Sequence, residues 1–480
     1  MKLIDNYSFY SDKVPVKVQI VQKDGEYVPL YVASISDISK SAERILEKVR
    51  EETINEVKID VADLGDIKKR DFIKKKFEEK TKELIIRYFP DSTKELVEFF
   101  TSFVIQKSMG LGDVDLLKND ELLEEITING SSEPVWVYHR KYGWLKTNII
   151  LPSEQHIHHL STTIGRDVGR QINMLEPLMD ASLDNGDRVN ATLMPVSNRG
   201  NTITIRKFSK TPWTIASIIK AGTISASGAA LVWLGIQYEM SALISGGTGS
   251  GKTSVMNAIS NLFPPNQRII SIEDTRELTL PDILHWVPMM TRLPNAEGKG
   301  EVTMLDLLVN SLRMRPDRIV VGEIRRKEEA EVLFEAIHTG HSVYATIHAN
   351  DARETISRLV NPPINLPKMM LPALSMIIVQ NRNRRTGQRR TFQIAEVTSD
   401  GEANVLQQLD LKSGQLMQKN RSQTILDTLT LHVGLSEQEM KQDLAEKEEL
   451  LKWLVKNDIT DVHEIGRTIA EYYFHNKNAS

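Results

Sequence analysis

A short stretch near the middle of the chain has the residue types and spacing to hold a polyphosphate. Within SALISGGTGSGKTSV, Ser241 to Val255, the residues Gly246, Gly251, Lys252 and Thr253 satisfy G-x-x-x-x-G-K-[ST]. Glycines let the backbone N–H groups turn inward around one anion, and a helix N-terminus adds partial positive charge at the same spot. Ala242-Leu243-Ile244 before the motif has strand length, and Thr253 to Leu262 after it can run as a helix. That is the strand–loop–helix context a phosphate-binding loop requires. The candidate cradle is Gly246, Gly247, Thr248, Gly249, Ser250, Gly251, Lys252, Thr253 and Ser254. Lys252 can reach the β- and γ-phosphates of a nucleotide, and the Thr253 hydroxyl can hold Mg²⁺.

Hydrolysis needs more than a cradle: an acid for Mg²⁺ or the attacking water, and cations for the charge that develops on the γ-phosphoryl group. In open α/β sheets, ligands sit just outside the carboxyl ends of the strands. Three apolar, strand-like runs end in suitable residues. Ile319-Val320-Val321 is followed by Gly322-Glu323, Ile269-Ile270-Ser271-Ile272 by Glu273-Asp274, and Val343 to Ile347 by His348. Taken singly, each has an ordinary explanation as a strand cap, a turn or a buried histidine. Taken together after a phosphate loop, they are expected to converge on one crevice. The acid after Ile319-Val320-Val321 is Glu323 rather than Asp; its longer arm can orient a water or hold Mg²⁺ through its waters.

The elements that must position these groups follow from hydrophobic period and breakers. At 480 residues the chain is too long for one core. Residues 1–109 read as a lysine-rich, mostly helical region, with helices expected over Lys40 to Thr53, Lys69 to Phe89, and after a capping box at Ser92-x-x-Glu95. The lysines of KKRDFIKKKFEEK are expected to be a solvated face. Met109-Gly110-Leu111-Gly112 reads as a boundary, and 110–208 as a small α/β domain with strands at Glu125–Ile128, Val135–Tyr138, Trp144–Leu151, Arg188–Met194 and Thr202–Phe208. Residues 209–222 read as a linker. Residues 223–435 alternate apolar strand runs with helical stretches, which predicts a parallel sheet with helices on both faces. That region carries NRNRRTGQRRTFQIAEV, a hairpin turning at Thr386-Gly387 and crowded with arginines at 382, 384, 385, 389 and 390. A solvated hairpin or a subunit contact is the expected role. Residues 436–480 read as C-terminal packing helices.

Composition excludes several classes. The chain has no cysteine, so disulfides, thiolate metal sites and cysteine nucleophiles are ruled out. A net charge of −4 argues against a general nucleic-acid binder. The N-terminus has no apolar core of signal-peptide length, and no stretch is apolar enough to span a bilayer. The expected location is cytoplasmic.

Across residues 110 to 400 the sequence resembles the secretion-superfamily ATPases, which power type II and type IV secretion, type IV pili and archaella. Four boxes occur in order: GGTGSGKT, the acidic IEDTREL, the Walker B-like IVVGEIR, and TGHSVYATIHAN with His341 and His348. MLEPLMDASLDNGDRVNATLMPVS and TITIRKF resemble the family's N-terminal domain, and VYHRKYG and the arginine-rich hairpin resemble its archaeal branch. The resemblance implies a RecA-like P-loop ATPase domain behind a small α/β domain, acting on ATP with Mg²⁺ in a ring, usually a hexamer. It implies that Arg188 and Arg206 approach the phosphates when the ring closes. It implies that Glu323 or Glu273 positions the attacking water, and that His341 and His348 order the site. Arg276, Arg292 and Arg325 are further cation candidates. It also implies a polytopic membrane platform partner at the inner face of the cell membrane, through which pilin-like or secreted substrates are moved. A DNA transfer motor and a non-hydrolysing ATP-bound scaffold are the competing expectations.

Overall fold

The structure is a computed structural model. It describes all residues except 36–37, 58–66, 184, 209–210, 295–297 and 479–480, and the side chains of 40, 67–71, 109 and 476–478 are also outside it. The chain divides into two compact units, Met1–Lys210 and Thr211–Ser480.

The first unit is built on one sheet. Its strands are β1 (Lys2–Ser11), β2 (Val14–Gln22), β3 (Leu30–Ile35), β4 (Leu123–Asn129), β5 (Pro134–His139), β6 (Gly143–Ile150), β7 (Leu178–Ser182), β8 (Arg188–Thr192) and β9 (Thr202–Arg206). Among the described residues they stand in the order β1-β2-β3-β6-β5-β4-β9-β8-β7. Three strands thus lie where composition suggested helix. The reason is visible in VPVKVQIVQ: Val14, Val16, Val18 and Ile20 alternate with polar residues and are all buried, a period of two that a strand satisfies and a helix does not. Because β3 pairs in parallel with β6, the expected break at Met109–Gly112 is not a boundary between units. The helices Lys40–Val57, Ile67–Tyr88 and Lys94–Met109 do form; the last is capped by Thr93 rather than Ser92, the Thr93 side chain accepting from the Leu96 N–H. In the second of these helices Phe77, Leu84 and Ile85 are buried while Phe72 is exposed. Lys74, Lys75 and Lys76 are exposed; the side chains of 68–71 lie outside the described residues.

The second unit carries β10 (Ala242–Gly246), β11 (Arg268–Glu273), β12 (His285–Met290), β13 (Arg318–Val321), β14 (Ser342–Ile347), β15 (Met376–Arg382), β16 (Arg389–Val397), β17 (Ala403–Leu409) and β18 (Leu416–Gln418). Their order among the described residues is β12-β11-β13-β14-β10-β15-β16-β17-β18. The first six run parallel and the last three are antiparallel. The central strands are buried on both faces, as a parallel sheet between helical layers must be: every residue of β10, β13 and β14 is buried. This is a RecA-like P-loop fold of the α/β class.

Residues 211–222, expected as linker, belong to this unit and include the short helix Ile215–Lys220. The C-terminal helices Glu437–Lys456 and Val462–Asn478 are likewise part of its core. Leu451, Leu454, Ile465 and Ile469 pack into the same cluster as Trp233, whose indole N–H donates to the Tyr473 hydroxyl at 2.8 Å. A capping box of Ser436 and Glu439 opens the first of them.

Candidate functional site: a phosphate loop at the end of a parallel sheet

The phosphate loop leaves β10 and runs into the helix Lys252–Ser260. Gly246, Gly249 and Gly251 all have positive φ, at 154°, 69° and 95°. Gly246 is also required by space: a Cβ there would stand 2.4 Å from Ser250 Oγ and 2.5 Å from the Gln380 carbonyl oxygen. The first N–H groups of the helix have no carbonyl ahead of them. The cradle therefore offers amides, a helix N-terminus and an ammonium group, the donor set that suits a polyphosphate. Thr248 is exposed, Thr253 and Ser254 are partly exposed, and Ser250 is buried with a hydroxyl that has no partner among the described residues.

Lys252 turns into the loop. Its ammonium donates to the carbonyls of Gly246 at 3.0 Å and Gly247 at 3.3 Å, and lies 3.3 Å from His348 Nδ1. Burial lowers its pKa, while the negative charge of Glu323 works the other way. An ammonium only donates, so His348 Nδ1 accepts; the ring's other nitrogen then carries the hydrogen and donates to Glu323 Oε1 at 2.8 Å. Burial, then the Lys252 charge, push the His348 pKa down, which favours this neutral tautomer.

The second oxygen of Glu323 is held by Arg325, at 2.8 Å from Nε and 2.7 Å from Nη2. Arg325 Nη1 in turn donates to Asp274 Oδ2 at 2.7 Å, and Thr291 Oγ1 donates to Asp274 Oδ1 at 3.2 Å. A continuous polar chain thus runs Lys252–His348–Glu323–Arg325–Asp274. Strand order explains it. β14 lies between β10 and β13, so the histidine after β14 falls between the lysine after β10 and the glutamate after β13; β11 lies next to β13, so Asp274 comes next.

Glu273 ends β11 and differs from Glu323. It is 3% exposed, its Oε1 accepts from the backbone N–H of Glu277 at 2.9 Å and of Leu278 at 3.1 Å, and its Oε2 has no partner among the described residues. Burial raises its pKa from 4.5 to about 7. Among the described residues no group of three or more His, Asp or Glu could hold a metal ion by itself.

Other candidates are placed elsewhere. His341 precedes β14 while His348 follows it, so the strand's six residues separate them by roughly 20 Å at about 3.3 Å each. His341 Nδ1 lies 3.1 Å from the Ala336 carbonyl and 3.2 Å from Thr339 Oγ1, at the end of the helix Lys327–His338. Within this chain it does not join the crevice. Arg276 lies over the Trp286 ring at 5.0 Å, and Arg292 Nε donates to the Gly300 carbonyl at 2.6 Å. In the first unit, Arg188 and Arg206 are direct cross-strand partners on β8 and β9, both exposed. Asp180 grips Arg188 through both oxygens, at 3.1 Å from Nε and 2.7 Å from Nη2.

The sequence reading missed one contact. The arginine hairpin does turn near Gly387, the Gly387 N–H donating to the Asn383 carbonyl at 2.8 Å, but it is more than a solvated element. Arg389 Nε donates to the Gly249 carbonyl of the phosphate loop at 2.9 Å. No sequence signal could have found this, because it depends on β15 pairing beside β10.

The sequence profile of the family described as "Type II/IV secretion system protein" matches residues 179–471. An uncharacterized protein of Methanocaldococcus jannaschii is 40% identical over 351 residues, covering 71% of this chain and 46% of that protein. The chain thus spans about half the length of that relative. The type IV secretion system protein PtlH of Bordetella pertussis is 31% identical over 301 residues, covering 56% of this chain and 88% of PtlH. Among solved structures, the Yersinia pseudotuberculosis ATPase DotB aligns with 75% of this chain and 92% of its own, at 17% identity and a TM-score of 0.46. With well over half of its length matched by the family profile, the chain belongs to the type II/IV secretion system protein family.

Proposed function

We propose that this chain is a Mg²⁺-dependent ATPase, the ring-forming cytoplasmic motor of a pilus-like, archaellum-like or secretion machine. The observation that carries the reading is the polar chain from Lys252 through His348 and Glu323 to Arg325 and Asp274, lying at the mouth of a phosphate loop. Phosphoryl transfer is mainly positioning and electrostatics, and this chain supplies both. The loop amides and Lys252 bind the β- and γ-phosphates. Thr253 would hold the Mg²⁺ that neutralises them, with Glu323 acting through the ion's waters.

Of the two acids, Glu273 suits the water-positioning role better. Glu323 has both oxygens engaged, whereas Glu273 keeps one oxygen without a partner among the described residues and a pKa near 7, close to working pH. Arg188 and Arg206, two adjacent exposed cations, are the candidates to approach the γ-phosphate from the first unit, of the same or a neighbouring subunit. ATP cleavage would then change how the two units are held, and a hexamer at the inner face of the membrane would pass that motion to a polytopic platform protein. No helix among the described residues is long and apolar enough to cross a membrane, which fits a motor that works through such a partner.

The test is Mg²⁺-dependent ATP turnover by the purified protein, with and without lipid and with and without single-stranded DNA at low salt. Turnover is expected, unaffected by DNA and lost in Lys252→Ala. Glu323→Ala should turn over at least a hundredfold more slowly while binding ATP within a few fold of wild type. Absence of turnover in wild type would sink the motor reading, and stimulation by DNA would move it to a DNA transfer motor.

A further inference from the structure

The hairpin β15–β16 overhangs the phosphate loop. β15 runs parallel beside β10 with Gln380 opposite Gly246, and then continues to Arg382, which pairs with Arg389 at the start of β16. Where β10 stops and the loop begins, the neighbouring hairpin goes on. It brings two arginines along the outside of the loop. Arg389 Nε donates to the Gly249 carbonyl at 2.9 Å, its Cδ lies 3.5 Å from where a Cβ of Gly251 would stand, and Arg382 Nη1 lies 3.2 Å from where a Cβ of Gly249 would stand. The glycines at 249 and 251 therefore do more than allow positive φ: they leave room for these side chains against the backbone.

A trans peptide unit is rigid, with its carbonyl and the next N–H pointing opposite ways. In the Gly249–Ser250 unit both ends are tied: the carbonyl by Arg389 and the Ser250 N–H by the Gly247 carbonyl at 3.2 Å. The plane that sets the direction of the following amides, those of Gly251, Lys252 and Thr253, is thus clamped from outside the cradle. We propose that Arg389 is a positioning residue for nucleotide binding: its guanidinium fixes the Gly249–Ser250 peptide so that the loop is preorganised for a nucleoside polyphosphate. This rests on the reading of the loop as a nucleotide site. A cation on the Gly249 carbonyl also draws electron density from that peptide, which strengthens its own N–H, that of Ser250, as a donor to the Gly247 carbonyl and tightens the clamp.

The test is titration of the full-length protein with a fluorescent ADP analogue, alongside steady-state ATP turnover and thermal unfolding. Arg389→Ala is expected to weaken ADP analogue binding on the order of tenfold, the size of one charge-assisted hydrogen bond. KM for ATP should rise by a similar factor while kcat stays within about threefold, because the residue touches the loop and not the transferring group. Arg389→Lys, which can still donate to the Gly249 carbonyl, should recover part of the affinity. Arg385→Ala, at the exposed tip of the same hairpin, should bind as wild type. Wild-type affinity in Arg389→Ala would overturn the proposal. So would a loss in Arg389→Ala that tracks a lowered melting temperature and is not recovered by lysine, since that is a folding effect. A wild-type protein that fails to bind the analogue at all would remove the nucleotide reading itself, and this inference with it.

Discussion

At the scale of single residues, the site separates two carboxylates by environment. Glu323 is tied on both oxygens, and Glu273 is buried with one oxygen that has no partner among the described residues. The consequence is measurable without any substrate. The Glu273 carboxyl has an ordinary value of 4.5 and burial pushes it to about 7. Between these values the unfolded chain has released the proton while the folded chain keeps it. Stability therefore falls as pH rises through this window, by on the order of 1.4 kcal/mol per unit. Glu273→Gln cannot titrate and lacks this slope. In urea unfolding, the difference in stability between variant and wild type should shift in favour of the variant by on the order of 3 kcal/mol from pH 4.5 to pH 8. A difference that stays flat over that range would show that the Glu273 carboxyl titrates alike in the folded and the unfolded chain.

At the scale of elements, the phosphate loop depends on a glycine at 246. An alanine at 246 would place a Cβ within 2.5 Å of the Gln380 backbone, which is pinned by its own pairing with β10. Neither side can move cheaply, and the φ of 154° adds strain. Gly246→Ala is expected to lower the melting temperature by several degrees and to weaken nucleotide binding at least tenfold. A variant with wild-type melting and binding would mean that the loop can be rebuilt around a side chain. The same scale shows how legible the elements were. The strand ends Glu273, Glu323 and His348 could be read directly, since each apolar run and the residue after it are contiguous. The strands over residues 2–35 were also written in the alternation of Val14, Val16, Val18 and Ile20, but the lysine-rich composition of the following helices obscured it.

At the scale of the whole molecule, each unit has a core of its own. Residues from Val14 to Ile205 close the first, and those from Ile215 to Tyr473 the second. The C-terminal helices help to close the second core, through Trp233 and Tyr473. Fragments Met1–Lys210 and Thr211–Ser480, expressed separately, should each unfold cooperatively, whereas ending the second fragment at residue 435 should abolish its cooperative transition. Calorimetry decides both. Under the proposed mechanism the fragment Thr211–Ser480 should bind ATP yet hydrolyse it at least a hundredfold more slowly than the whole chain, since it lacks Arg188 and Arg206. Undiminished hydrolysis by that fragment would remove those arginines from the reaction.

The sequence by itself determined the chemistry that is local: the glycines and lysine of the loop, and acids or a histidine at the ends of apolar runs. A phosphate cradle is built from consecutive residues, so its spacing is its structure. Tertiary structure decided everything that depends on which strand lies beside which. Backbone hydrogen bonds pair strands with little regard to side-chain identity, so no spacing reveals that β14 inserts between β10 and β13. That insertion sets His348 between Lys252 and Glu323, and the separate pairing of β15 with β10 lays Arg389 on the loop.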